Sequence, residues 1–314
     1  MLISFVVPCF NEEKPLGELL RRLEATADLL DQPCEFVLVD DGSTDRTWEI
    51  ITRESARLAQ LRGVRLSTNW GHQAAVSAGL DAACGDRVLI LDADLQDPPE
   101  LAVEMMALMD QGYDMVYGRR RDRKSESLFK KATARAYYRL MSYFSDGKIP
   151  EDVGDFRMVN RQVLDSVRAL PERTRYLRGL FAYVGFRQIG IEYDRDARNS
   201  GETKYPLAKM LRLGFDGITS FSDKPLRLAI SFSLLSILLC LAICLYVLIS
   251  WLLFNTAPGW ASILITVSAF ASVQLFCVGI IGEYLARIYT EVKNRPLYLV
   301  AEDTSESDGR TDAG

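Results

Sequence analysis

The chain has 314 residues, 48% hydrophobic and 25% charged, with 37 Lys+Arg against 42 Asp+Glu and a net charge of −5. This composition excludes a disordered chain and a disulfide scaffold, and its acidic balance gives no overall basic field for nucleic acid. Six cysteines without a CxxC pair, beside one histidine, exclude a zinc site of the usual Cys/His kind and read as reduced, buried thiols of a cytosolic compartment.

In chain order, residues 2–7 form a short apolar run that stops at Pro8, and with no basic segment before it this start is not expected to act as a signal peptide. Leu16, Leu19, Leu20 and Leu23 give a helix one apolar face. Residues 36–39 form a second strand, ending in Asp40-Asp41-Gly42-Ser43, and a helix carrying Trp48, Ile51, Ser55 and Leu58 follows a cap at Ser43 or Thr44. A weaker strand is expected at 64–66, then a helix at 74–83 opened by His72. Such a lone histidine reads as a hydrogen-bonded structural residue. Residues 88–91 form a strand ending in Asp92-Ala93-Asp94. Asp97 reads as a helix cap with Pro98 in the first turn, before a helix at 101–109 and a weak strand at 115–117.

Continuous apolar strands alternating with amphipathic helices predict an α/β, mostly parallel, Rossmann-like sheet. Ligands of such sheets sit beyond the carboxyl ends of the strands, where Asn11-Glu12-Glu13, Asp40-Asp41 and Asp92-Ala93-Asp94 should converge. Asp92 and Asp94 can reach one hard cation, Mg²⁺ or Mn²⁺, shared with substrate phosphates, and Gln96 can add an amide oxygen. Asp40 or Asp41 can accept from ribose hydroxyls or a base N–H, or can serve a capped turn. No GxGxxG, GxxxxGK[ST] or GxSxG occurs.

Residues 119–139 carry Arg119, Arg120, Arg121, Arg123, Lys124, Lys130, Lys131, Arg135 and Arg139 among apolar residues, which predicts a basic amphipathic segment (119–145) lying on anionic head groups. A juxtamembrane helix is expected at 206–226. From Leu228 to Gly282 there is no Asp, Glu, Lys, Arg or His. The stretch divides at 255–259 into Leu228–Phe254 and Trp260–Gly282. Each is long enough for roughly 30 Å of hydrocarbon, which predicts a two-helix transmembrane hairpin within 227–286. Lys204, Lys209, Arg212, Lys224 and Arg227 precede it and Arg287, Lys293 and Arg295 follow it, so both flanks are expected on the cytoplasmic face. In the 287–314 tail, the stretch from Glu302 onward is expected to be disordered.

VPCFNEE, DDGSTD, NWGHQAA, DADLQDPPE, GDFRMVNR and RNSGETKYP, in this order and followed by two spans, resemble the family 2 glycosyltransferases that load polyprenyl phosphate. The likeness is to the bactoprenol glucosyltransferase type, with dolichyl-phosphate mannose synthases as more distant relatives. The resemblance implies a GT-A catalytic domain over 1–205 and a metal-dependent, inverting hexosyl transfer. The donor would be a nucleotide sugar, UDP-glucose first, and the acceptor undecaprenyl or another polyprenyl phosphate. It places Pro8, Phe10, Glu12 and Asp40 or Asp41 by the nucleoside, and Asp92, Ala93, Asp94 and Gln96 by metal and diphosphate, with Arg198 and Lys204 meeting the diphosphate. Arg119, Arg120, Lys130, Lys131 and Arg135 fall at the acceptor phosphate, and Asp155 takes the acidic slot of GDFR. The implied setting is the inner (plasma) membrane, multi-pass, with both termini cytoplasmic, in lipopolysaccharide or other cell-surface glycan modification. The rivals are mannose or an aminoarabinose derivative on the same acceptor, and a catalytically silent membrane scaffold. Pairing of the spans into a homo-oligomer is left open.

Overall fold

The computed structural model describes residues 1–120, 153–173, 175–194, 224–253 and 259–305. They divide into two units, Met1–Met210 with Arg295–Gly314, and Leu211–Asn294.

The first unit is an α/β domain on one eight-stranded sheet. Its strands are β1 (Ile3–Cys9), β2 (Cys34–Asp40), β3 (Leu61–Leu66), β4 (Arg87–Ile90), β5 (Met115–Arg120), β6 (Val153–Asn160), β7 (Gln188–Tyr193) and β8 (Val300–Asp303), in spatial order β7-β5-β6-β4-β1-β2-β3-β8. The pairs β4–β1, β1–β2, β2–β3 and β5–β7 are parallel. β6 runs antiparallel to both β4 and β5, and β8 antiparallel to β3. The expected α/β, mostly parallel architecture is therefore present.

The centre forms because β1 and β2 are apolar on both faces. All seven residues of β1 are buried, and Phe5 meets Phe36 edge-on with ring centroids 5.6 Å apart. Each such side chain contributes about 1.5–3 kcal/mol by leaving water. Pro8 lies inside β1 rather than ending it. The β1–β4 ladder stops at Val6↔Ile90, so the missing N–H of Pro8 breaks no bond on that side.

The helices follow the apolar spacing. α1 (Leu16–Leu30) buries Leu16, Leu19, Leu20 and Leu23. In α2 (Thr47–Arg57), Trp48 and Ile51 face inward, while Leu58 lies just past the end. Ser43 and Thr44 do not cap it. Both bind Asn11 instead, and Asp45 accepts from Thr47 N at 3.0 Å. α3 (His72–Ala82) is built of small residues because it lies directly on β1 and β2; a Cβ at Gly79 would collide with Val6. A 3₁₀ turn (Pro99–Leu101) leads into α4 (Ala102–Asp110). Asp97 is not its cap; it is buried and accepts from the Tyr193 hydroxyl at 2.5 Å. α5 (Arg161–Arg168) is capped by Asn160, whose side chain accepts from Val163 N. α6 (Leu177–Val184) ends at left-handed Gly185.

Three further expectations change. Arg119 and Arg120, read as the start of a basic helix, belong to strand β5 and pair with Glu192 and Tyr193; the rest of 119–145 lies outside the described residues. Glu302 and Asp303, where disorder was expected to begin, lie in β8, and 306–314 lies outside the described residues. The binding of β8 is specific: Arg62 forks onto Asp303 at 3.2 and 2.7 Å, Arg65 donates to Glu302 at 2.8 Å, the Trp48 indole to Glu302 at 3.2 Å, and Gly63 N to Thr304 Oγ1 at 2.9 Å. Third, Cys9, Cys34, Cys84, Cys240 and Cys277 form no disulfide, but of these only Cys9 and Cys277 are buried, whereas Cys84 and Cys240 are exposed.

The second unit holds two long helices, α7 (Lys224–Leu253) and α8 (Trp260–Val292). They pack antiparallel: Phe232 meets Phe276 at 5.8 Å, and Cys277 Sγ reaches the Ala229 carbonyl at 3.5 Å. Leu234, Leu235, Leu238, Leu241, Ile265 and Leu275 are all more than half exposed. Among the described residues, Ile265–Val292 is long and apolar enough to cross a membrane, and Ala229–Ile243 is a shorter apolar stretch. Of the turn expected at 255–259, residues 255–258 lie outside the described residues, as do 206–223 of the juxtamembrane helix expected at 206–226, whose last three residues open α7.

Candidate active site

The loops after β1 and β2 are laced together. Asn11 N donates to Ser43 Oγ and Glu12 N to Thr47 Oγ1, both at 2.9 Å, and Thr44 N donates to Asn11 Oδ1 at 2.9 Å. Asn11 takes a left-handed φ of 57°, which its short polar side chain tolerates. Gly42 has φ 68°, and a Cβ there would lie 2.5 Å from the Thr68 carbonyl carbon; only glycine lets this turn press on the loop before α3.

That loop is held by Asp41, whose carboxylate oxygens accept from Trp70 N at 2.7 Å and Gly71 N at 2.9 Å. Asp40 is fully buried, with Oδ1 accepting from Ser43 N at 3.2 Å and Oδ2 3.5 Å from Arg65 Nε. Burial pushes both carboxyls up, against the hydrogen bonds each receives. Phe10 is exposed beside them, 44% accessible, and can offer a ring face to a base.

Asp41 sets the start of α3, and α3 carries the one histidine to the next cluster. His72 Nε2 lies 3.1 Å from Asp155 Oδ2 and 3.8 Å from Asp92 Oδ1. The hydrogen-bonded role expected of His72 holds, and its partner is Asp155 on β6. Arg178 of α6 closes the group, donating from Nε to Asp155 Oδ1 at 2.9 Å and from Nη2 to Oδ2 at 3.1 Å. Arg157 lies close by, its guanidinium 4.5 Å from the Phe181 ring centroid.

The electrostatics separate the two acids. Burial pushes Asp155 up, but the His72 hydrogen bond and the Arg178 charge and fork outweigh it and hold the carboxyl well below the ordinary range. Asp92 is pushed up to about 6 by burial, against the pull of His72, with Asp97, Asp155 and Asp94 adding repulsion. Asp94 Oδ1 accepts from Gln96 N at 3.2 Å across Leu95, a non-glycine residue at φ 62°. Left-handed backbone at a branched residue stores strain of about 1–3 kcal/mol, here in the loop that presents two carboxylates.

Two carboxylates crowded by further acids suit a hard divalent cation that completes its shell with substrate phosphate oxygens and water. Among the described residues no group of three or more Asp, Glu, His or Cys side chains is gathered to hold a metal ion. His72 thus brings Asp155 and Asp92 together, with Ala93, Asp94 and Gln96 following in the loop after β4. Arg119 is exposed at the end of β5, whereas Lys130, Lys131, Arg135, Arg198 and Lys204 lie outside the described residues. Arg178 escaped the sequence reading: it sits in an apolar helix with no motif around it, and only the fold shows that it faces Asp155.

Residues 4–168 match the family described as Glycosyl transferase family 2. An uncharacterized glycosyltransferase, YkcC of Bacillus subtilis, is 45% identical over 95% of this chain and 92% of its own length. The SfII prophage-derived bactoprenol glucosyl transferase of Shigella flexneri is 36% identical over 96% of this chain and 97% of its own. Glucosyl-3-phosphoglycerate synthase from Mycobacterium tuberculosis, solved with Mn²⁺, UDP-glucose and phosphoglyceric acid, aligns with a TM-score of 0.49 at 23% identity, covering 70% of this chain and 78% of that one.

Proposed function

The chain belongs to glycosyl transferase family 2, and we propose that it is a membrane-bound inverting enzyme that moves glucose from UDP-glucose onto a polyprenyl phosphate at the cytoplasmic face. The observation that carries this reading is the loop of Asp92 and Asp94, where burial, with Asp97, Asp155 and Asp94 adding repulsion, opposes ionisation of Asp92 against the pull of His72, a penalty that a divalent cation would relieve. The name of the Shigella relative supports the sugar and the acceptor.

In this reading Mg²⁺ or Mn²⁺, when bound, supplies positive charge for the diphosphate leaving group. Asp92 and Asp94 hold it, with Gln96 as a third oxygen donor. Pro8, Phe10, Glu12 and Asp40 or Asp41 border the nucleoside. Arg198 and Lys204 meet the diphosphate, while Arg119, Arg120, Lys130, Lys131 and Arg135 receive the acceptor phosphate. A lipid phosphate is already anionic near neutral pH, so the reaction asks little of a general base. Asp155, held ionised, orients groups in the crevice.

The two helices of the second unit act as a transmembrane hairpin spanning 227–286. Chain connectivity supports this. The chain leaves the sheet domain before α7 and comes back to the same sheet as β8, so any crossing must be made an even number of times. Basic residues on both flanks put the catalytic domain and both ends of the chain on the cytoplasmic side of the plasma membrane.

The full-length protein in detergent, given labelled UDP-glucose, Mg²⁺ or Mn²⁺ and undecaprenyl phosphate, is expected to move label into the organic phase. Label entering only from a mannose or aminoarabinose donor would replace the sugar. No transfer from any nucleotide sugar would leave the scaffold.

A further inference from the structure

We propose that Arg178 is a positioning residue whose guanidinium fork fixes the Asp155 carboxylate and, through it, the His72 ring beside Asp92. The proposal deepens the glycosyl-transfer reading and rests on it for the kinetic part of its test.

The geometry is a strut across three elements. Arg178 on α6 grips both oxygens of Asp155 on β6 at 2.9 and 3.1 Å, and Asp155 Oδ2 meets His72 at the first turn of α3. A second bond sets the helices in register: Leu177 N, next to Arg178, donates to the Gln73 side chain, next to His72, at 2.8 Å. Three residues after Arg178, Phe181 is fully buried under the Arg157 guanidinium. Arg178 thus stands on a helix anchored at both the α3 contact and the core.

Each Asp155 oxygen already accepts a charged or ring N–H, so the carboxylate is fixed in rotation as well as in charge. A lone carboxylate on a strand turns about its last bond; a bidentate guanidinium partner stops it, and a lysine ammonium, a point charge, cannot. The same clamp removes Asp155 from service as a proton acceptor. What it delivers is a set position for His72, 3.8 Å from the Asp92 carboxylate. Misplacement of such a group by a fraction of an ångström lowers turnover without touching the donor pocket.

The test uses the full-length protein and R178A, R178K and D155N. Relative to wild type, R178A should lose about 30- to 100-fold in kcat with the donor KM changed less than about threefold, as expected when only alignment is lost. Guanidinium at about 20 mM should restore R178A at least about fivefold, since it resupplies the missing fork. R178K should fold and still lose about tenfold in kcat. R178K turning over within twofold of wild type, or a loss residing in KM, overturns the proposal even if R178A fails to fold.

A second readout needs no catalysis. The chain has one histidine, so ¹⁵N-histidine labelling gives a single imidazole. Its Nε2 signal should move in R178K in the same direction as in D155N. A signal that moves in D155N and stays put in R178K overturns the strut. An idle wild type whose signal follows both variants would support the strut and overturn the transferase reading instead.

Discussion

If the proposed function holds, Asp94→Asn and Asp92→Asn should each lower transfer from UDP-glucose by about a hundredfold or more, because in that reading each removes one of two carboxylates offered to a divalent cation at the leaving diphosphate. The two variants should part company in stability. In the folded chain Asp92 keeps its proton up to about 6, whereas an unfolded aspartate releases it near 3.9. Between those values the folded state binds more protons, so stability falls as pH rises through the window and stays reduced above it. Asparagine removes that penalty. Metal-free Asp92→Asn should therefore be more stable than wild type at pH 7.5, by about 1 kcal/mol once solvent at the crevice mouth is allowed for. The gap should narrow toward pH 4. Thermal unfolding in EDTA at the two pH values measures it, and a variant that melts below wild type at pH 7.5 would remove the repulsion argument. Adding Mn²⁺ should raise the wild-type midpoint more than that of Asp92→Asn.

The second large effect is expected from a short deletion. Removing residues 299–314 strips β8 from the sheet, frees the edge of β3, and takes away the carboxylates of Arg62 and Arg65 and the acceptor of the Trp48 indole. Several hydrogen bonds at about 1 kcal/mol each and a half-buried forked pair put the loss at about 3–5 kcal/mol, enough to make the domain aggregate through its open edge. Removing 306–314 alone leaves β8 and its partners in place and should change neither the unfolding midpoint nor the elution profile. A 299–314 deletion as stable as the full chain would mean that β8 adds nothing to the sheet.

What could be read from the amino-acid order followed burial. β1, β2 and β4 are apolar on both faces, so their positions stand out without any partner, and the acids at their ends locate the crevice. β8 could not be read that way: Val-Ala-Glu-Asp is short, exposed and half acidic, and is held as a strand by its ladder with β3 and by Arg62 and Arg65 on its carboxylates. β6 and β7 were likewise hidden, the first behind the GDFR motif and the second in a half-exposed edge strand. In the candidate site, the place of Asp92 and Asp94 just past a strand was legible, and Asp155 stood out through its motif. The pairing of Asp155 with Arg178 was not, because it joins a strand to a helix whose spacing speaks only of packing.

The return of the chain to the sheet as β8 also sets a timetable. A ribosome makes β3 long before β8, at about 5–20 residues per second, so β3 stands with its outer rim bare for tens of seconds while the apolar helices are being made. The last strand reaches its slot only after both helices have been synthesised. Completion of the catalytic half is thereby tied to delivery of the greasy half, and a nascent polypeptide stalled before residue 300 would be left sticky and a natural client for chaperones.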